Sequence, residues 1–362
     1  MKTKRIGILT GGGDAPGLNA VIRGVVRNAV LFRKWEVLGI RNGFQGLVER
    51  DVRPLGAGDV RGILSSGGSI IGCSNWANPF AYPVKRGRST VDVDLSDRAL
   101  ANAKRLGLDG LVLVGGDGTM AIGQKLIDRG LRAVVGVPKT IDNDLGATDR
   151  TFGFDSAVTR AMGAIDAIQD TAESHGRVMV VELMGRDAGF LTLHAGVAAG
   201  ADVILLPEMP YRVDRVVRKI RRRARLGIPH TVIAIAEGAR PVGGVVAVQQ
   251  AGRKGHLPRY GGAAQVLAES LQGRIPYEVR VTVLGHVQRG GPPTAFDRVL
   301  GTRFGVAAVD LLASRRFGRM VCLRGTRIES VTFAAAIGRP NRVDPKSDLV
   351  RAARAVGTEL GS

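Results

Sequence analysis

Short apolar runs alternate with longer stretches of helical periodicity along nearly the whole chain. Arg5–Thr10 is the first such run, and Leu18–Leu31 is the helix expected behind its glycine turn. Gly110–Val114, Ala133–Val137, Val178–Leu183, Val203–Leu206 and Thr231–Ala236 repeat the pattern. A strand that is continuously Val, Ile and Leu, rather than alternating with polar residues, is covered on both faces. Repeated βα units of this kind predict an α/β fold with mostly parallel sheets and helices on either side. In such sheets ligands gather at the carboxyl ends of the strands, where helix N-termini point. The glycine turns are therefore where chemistry is expected.

At 362 residues the chain has room for two domains. A change of unit is expected around 145–155, where Gly146-Ala147-Thr148-Asp149 interrupts the apolar pattern, and a last helical stretch is expected over Ser347–Val356. Aromatics make up only 4% of the residues, so the core must be built from Val, Ile, Leu and Ala. Two cysteines, Cys73 and Cys322, offer no disulfide framework and fit a reducing compartment. No apolar run reaches membrane-spanning length, and the basic Met1–Arg5 start meets a glycine loop too early for a signal peptide. A soluble cytoplasmic protein without a membrane partner is expected.

The charge is unusual. Fifty-two Lys+Arg against 32 Asp+Glu leave a formal +20. The densest run, Arg218–Arg225, lies on an expected helix with Val213, Val216, Val217 and Ile220 as its apolar residues. No aromatic stacking platform accompanies it. A solvated basic face, with other arginines committed to small anions, accounts for this better than a nucleic-acid partner.

Three segments carry the chemistry. Thr10-Gly11-Gly12-Gly13-Asp14-Ala15-Pro16-Gly17-Leu18-Asn19 follows a strand and opens a helix, so its N–H groups can approach an anion. Its spacing matches neither Gly-x-Gly-x-x-Gly nor a Walker loop. Gly115-Gly116-Asp117-Gly118-Thr119 is a glycine turn with one aspartate, locally like those of NAD kinases and diacylglycerol-type lipid kinases. Val137-Pro138-Lys139-Thr140-Ile141-Asp142-Asn143-Asp144 sets two carboxylates two residues apart. If extended, it points both the same way while Ile141 and Asn143 point elsewhere. Backbone approach to phosphate, a carboxylate for Mg²⁺ and a carboxylate to deprotonate an alcohol are what phosphoryl transfer needs.

With Arg177, Val180–Arg186, Ala234–Glu237, Arg280 and Leu284–Gly291, these segments resemble the 6-phosphofructokinase family from Ile6 to about Leu312. The resemblance implies the phosphofructokinase fold, an α/β protein of two similar-type domains with mostly parallel sheets covered by helices. Residues 1–152 plus about 287–335 would bind the donor, and 153–286 plus 336–362 the sugar phosphate. It implies Mg²⁺-dependent phosphoryl transfer from ATP to the 1-hydroxyl of fructose 6-phosphate, a glycolytic step. Asp142 would be the general base, for which an ordinary carboxylate suffices when proton transfer is late. Thr140, Asp144 and the backbone of Gly12 would sit beside the transferred group. Asn75, Trp76, Gly116, Gly118 and Thr119 would line the nucleotide, and Asp117 would help hold the metal. Met184, Gly185, Arg186 and Glu237 would bind the fructose and its transition state. Arg177, Arg280, His286 and Arg289 would surround the sugar 6-phosphate, which suits forked guanidinium hydrogen bonds. In the family the counterparts of Arg177 and Arg280 come from a neighbouring subunit, so a homo-oligomer is implied, at least a dimer and by pattern a tetramer.

Three departures are visible. Pyrophosphate-dependent members carry an acidic residue at the Gly118 position and a lysine at the Lys139 position, whereas bacterial allosteric ATP enzymes carry glycine at both. This chain has Gly118 with Lys139. Glycine leaves room for a nucleotide and lysine does not exclude one, so ATP is favoured over pyrophosphate. An arginine common near the donor phosphates is missing from Gly72–Pro79, where Asn75 and Trp76 stand. The allosteric effector site is only partly matched: Arg23 and Arg27 remain, Asp202 replaces a glutamate, and Gln169, Leu226 and Ile228 stand where basic residues would be. Weak or absent control by ADP and phosphoenolpyruvate is expected. A sedoheptulose 7-phosphate kinase, and an idle polyanion-binding regulator, are the alternatives.

Overall fold

Residues 3–87, 89–250, 259–338 and 340–362 are described in the computed structural model, and they group into two compact units. One contains 1–141, 145–156 and 289–340; the other contains 142–144, 157–288 and 341–362.

In the first unit, Arg5–Thr10 lies at the middle of an eight-stranded sheet, parallel to Glu36–Ile40 on one side and Gly110–Gly115 on the other. Val134–Thr140 and Arg319–Arg324 extend the parallel part. Arg327–Thr332 and Val52–Pro54 close the edges antiparallel, and Phe152–Gly153 pairs beside Thr140. The period of two sorts the side chains. Ile6, Ile8, Val112, Val114, Val135 and Val137 share a cluster with the helices Leu18–Arg27 and Ala295–Ala313. Leu9, Leu111, Leu113 and Val134 share another with Met120 and Phe333. Those first two helices approach closely because they meet through glycine: a Cβ on Gly24 would lie 2.7 Å from the Thr302 carbonyl oxygen.

The helix expected to run to Leu31 stops at Arg27 and continues as one π turn, Asn28–Phe32. There the Arg33 N–H bonds the Asn28 carbonyl, five residues back, at 3.0 Å. The Asn28 amide meanwhile donates to Val306 O and Asp310 Oδ1 at 3.1 and 3.3 Å.

The second unit is built on four parallel strands in the order 203–205, 231–236, 178–183, 279–283. Val181, Leu183, Val232 and Ala234 pack on one face with the helix Phe190–Ala198. Val178, Val180, Ile233 and Ile235 pack on the other with Val213–Arg225 and Ala263–Leu271. Asp348–Ala355 supplies the last helix. Among the described residues no helix is long and apolar enough to cross a membrane.

Candidate active site

In the first unit, the glycine loop after Arg5–Thr10 is pinned on two sides. The Gly11 N–H donates to Val114 O and the Gly12 N–H to Ser74 O, at 2.8 and 2.9 Å. Gly12 takes φ 75°, which a side chain would strain. Two cations reach the loop from inside. The Lys139 ammonium, on a side chain only 5% exposed, donates to the Gly13 carbonyl, and Arg289 Nη1 donates to the Asp14 carbonyl at 3.1 Å. Arg289 is thus found against the glycine loop.

Gly115–Thr119 is only partly the expected turn, because the helix Asp117–Asp128 begins inside it. Thr119 falls in the first helical turn, 5% exposed, with its side chain packed where Gly11 or Gly115 would carry a Cβ. Its hydroxyl therefore faces the strand ends. At Gly118 the opposite holds: the residue is exposed, and an added Cβ would meet nothing within 4 Å. Asp117 is exposed at the helix start, its Oδ1 accepting from the Gly338 N–H at 3.1 Å. No group of three or more His, Cys, Asp or Glu that could hold a metal occurs among the described residues. Mg²⁺ keeps several waters and is commonly held by one or two carboxylates plus substrate phosphates. One exposed carboxylate beside a phosphate-approach loop fits a cation that arrives with its nucleotide. Trp76 is exposed and meets Tyr82 edge-on, with centroids 5.5 Å apart, and Asn75 beside it is also exposed.

The strand Val134–Thr140 ends at Thr140, so Thr140–Asp144 is not extended throughout as the reading of the two carboxylates assumed. Asn143 turns into the left-handed region at φ 53°. Burial still alternates: Ile141 and Asn143 are buried, while Asp142 and Asp144 are half-buried. In the second unit the Asn341 N–H donates to Asp144 O at 2.7 Å, and this bond holds the carboxylate segment.

Met184, Gly185, Arg186 and Glu237 come together at the carboxyl ends of strands 178–183 and 231–236. The Arg186 N–H donates to Glu237 Oε1 at 3.2 Å, and the Glu237 N–H donates to Leu183 O at 2.8 Å. Gly185 has φ 130°, and Gly238 admits the Arg186 carbonyl where any side chain would collide with it. The Arg186 guanidinium lies 5.1 Å from the Tyr260 ring centroid and 3.3 Å from Asp187 Oδ2. His286, exposed in the 3-10 turn Gly285–Gln288, follows the carboxyl end of strand 279–283.

Arg177 and Arg280 are elsewhere. Arg177 precedes the first residue of strand 178–183, and Arg280 pairs opposite Met179. Both grip Glu278, Arg177 Nε at 2.6 Å from Oε2 and Arg280 on Oε1, and Arg177 above all holds that carboxyl below its ordinary range. The six-residue strand separates them from Met184 and Arg186 by about 20 Å. Asp202, at the expected effector-metal position, is tied to Arg223 and to the Val232 N–H at 3.0 Å.

Sequence reasoning gave no role to Glu182, which is 2% exposed and accepts from the N–H groups of Gly262 and Ala264 at the start of the helix Ala263–Leu271. Its signal was visible: a lone carboxylate inside the apolar run Val178–Leu183. Tyr260 carried no comparable signal, since Arg186 and Asp187 are distant along the chain, and neither did the Arg177 bond that reaches Glu278 from 101 residues away.

Comparison with known proteins gives a consistent result. The family model described as phosphofructokinase matches residues 5–312. An ATP-dependent 6-phosphofructokinase of Clostridium perfringens is 46% identical over 98% of this chain and 97% of its own. A pyrophosphate–fructose 6-phosphate 1-phosphotransferase of Amycolatopsis methanolica is 50% identical over 94% of this chain and 97% of its own. Among solved structures, a Pichia pastoris phosphofructokinase is similar with a TM-score of 0.78 and 31% identity over 93% of this chain. The match spans only 38% of that yeast chain.

Proposed function

This chain belongs to the phosphofructokinase family, and on that premise we propose that it transfers the γ-phosphoryl group of ATP to the 1-hydroxyl of D-fructose 6-phosphate, releasing ADP and fructose 1,6-bisphosphate. The observation that carries the choice of donor is the open space at Gly118. Relatives naming either donor are about equally similar, so identity does not choose between them. An acidic side chain there would extend into space that a nucleotide needs; glycine leaves it clear. Lys139 does not oppose this reading, because its ammonium is directed at the Gly13 carbonyl.

The chemistry follows from the residues. Asp142 accepts the proton of the sugar 1-hydroxyl as its oxygen attacks the γ-phosphorus, and ADP leaves in line. The Gly11 and Gly12 N–H groups are taken by Val114 and Ser74, so the Gly13 N–H and the hydroxyl of Thr140 would be the donors that face the charge on the phosphoryl oxygens. Asp117 would hold Mg²⁺, which when bound neutralises charge on the donor phosphates. Arg186, fixed through its backbone by Glu237, presents a guanidinium to the acceptor end. Arg177 and Arg280 lie too far along the strand from Arg186 to serve the same hexose phosphate from within one chain. Their place supports a homo-oligomer in which a second copy supplies them to the 6-phosphate.

The test crosses two donors with two acceptors: ATP or pyrophosphate against fructose 6-phosphate or sedoheptulose 7-phosphate, with kcat/KM measured for the four pairs. ATP with fructose 6-phosphate should exceed each of the others at least tenfold. A higher value with pyrophosphate would overturn the donor, and a higher value with the seven-carbon sugar would overturn the acceptor.

A further inference from the structure

The helix Val213–Arg225 sorts its charged residues into two kinds. Those flanking its buried face of Val216, Val217 and Ile220 are committed to the protein itself. Lys219 donates to Gly357 O at 2.8 Å, Arg221 to Arg274 O at 2.6 Å, and Arg223 to His230 O at 3.0 Å and to Asp202. The helix's only acid, Asp214, is taken by Arg274, which together with the more distant Arg218 and Arg212 holds its carboxyl below the ordinary range. The remaining four, Arg215, Arg218, Arg222 and Arg225, have no hydrogen-bond or ion-pair partner among the described residues; Arg215 is partly exposed and the others are exposed.

At 3.6 residues per turn these four fall within an arc of about 80°, opposite the buried face, along roughly 15 Å of helix. Like charges three and four residues apart repel one another. The repulsion would be relieved by a linear polyanion lying along the stripe. A membrane surface fits less well, because a helix that binds one inserts an apolar face, and the apolar face here is already in the core. Bases have no aromatic platform to stack on within the helix, so recognition would run through phosphates and carry no sequence preference.

The run alone favours a solvated basic face, but because the fold pairs the flanking cations and leaves these four arginines unpartnered in one file, we propose that the outer face of Val213–Arg225 is a binding surface for the phosphodiester backbone of single-stranded nucleic acid, separate from the residues assigned to phosphoryl transfer. Four phosphate contacts on a single strand give a slope of log K against log salt near −2.8, or about 50-fold weaker binding between 50 and 200 mM salt.

The experiment uses the full chain and a fluorescein-labelled 20-nucleotide RNA of mixed sequence, with anisotropy read across that salt range. A variant with Arg215, Arg218, Arg222 and Arg225 all changed to Gln is compared with one in which exposed Lys85, Arg86, Lys104 and Arg105 are changed to Gln, so that both lose the same charge. The stripe variant should lose at least tenfold in affinity at 50 mM salt and most of the salt slope, while the control keeps both and circular dichroism shows both folded. Equal loss in the two variants would reduce the effect to net charge and overturn the proposal. So would absence of binding by the wild type at 50 mM salt, or stripe-dependent binding only to phosphatidylglycerol vesicles.

Discussion

Asp142 is where the proposed chemistry is most sharply testable, because its role differs from that of the arginines proposed to hold the sugar phosphate. A base contributes to the transition state and little to holding a sugar phosphate, whereas the arginines do the reverse. Asp142→Ser should therefore lower kcat by about a hundred- to ten-thousandfold. Binding of fructose 6-phosphate, read by calorimetry, should change less than threefold. A variant that retains turnover would remove Asp142 from the mechanism. The residue pattern singled this carboxylate out, because two aspartates follow directly on a buried strand and a proline, and the assay decides whether it is the base. What the pattern could not give is the turn at Asn143, because a left-handed φ at a single asparagine is set by local packing such as the Asn341 bond to Asp144. Lys139 teaches the same lesson. Its type and position were read from the chain, but its direction toward Gly13 was not.

Two helix starts in the first unit cap each other, and this joint makes a prediction at the scale of elements. Thr294 accepts from the Asp297 N–H at 3.4 Å as the N-cap of Ala295–Ala313, and its hydroxyl donates to Asp155 Oδ2 at 2.6 Å. In return Asp297 Oδ2 accepts from Ser156 N–H and Oγ at 2.8 and 2.6 Å, in the first turn of Phe154–His175. Burial pushes the Asp297 carboxyl up to about 6; Ser156 and Gly153 pull it down, and Asp155 adds to the rise. The folded chain thus keeps this proton to a higher pH than the unfolded chain, whose carboxyl ionises near 3.8. Between these values the folded state binds more protons, so this group's contribution to stability falls as pH rises from about 4 to about 6 and is flat above. The full span of the effect is at most about 3 kcal/mol. Asp297→Asn removes that titration while keeping an acceptor for Ser156. The melting temperature of the variant minus that of the wild type should rise between pH 4.5 and pH 7; parallel curves would show that Asp297 does not titrate in this window. Nothing along the chain signalled this joint, because its halves are more than a hundred residues apart. The strands at the centre of each sheet were legible as apolar runs, whereas Val279–Val283 and Arg327–Thr332, at sheet edges and interleaved with polar residues, were not read from the chain. The helix Leu18–Arg27 was legible except for its π turn, which depends on Asn28 reaching the distant helix at Val306 and Asp310.

At the scale of the whole molecule, the placement of Arg177 and Arg280 at the opposite end of their sheet from Arg186 turns oligomerisation into a question about chemistry. If both arginines act on a neighbour's substrate, an Asp142→Ser chain still carries intact phosphate-binding arginines for its partner. An Arg177→Ser, Arg280→Ser chain likewise still carries an intact base. Each variant alone should be nearly inactive, the first through kcat and the second through a KM raised at least tenfold. Unfolded together and refolded at equal ratio, they form hybrids in which one shared site has every wild-type group and its symmetry mate has neither set. An isologous pair has two equivalent sites, and random mixing makes half the pairs hybrid, so about one quarter of wild-type activity should return. The unmixed variants, refolded in the same way, should recover none. Arginines that served the site of their own chain would leave every hybrid site defective, and the mixture would stay as inactive as its parts. Light scattering on the same samples separates that outcome from a simple failure to associate, because the particles must be at least dimers for the comparison to be made.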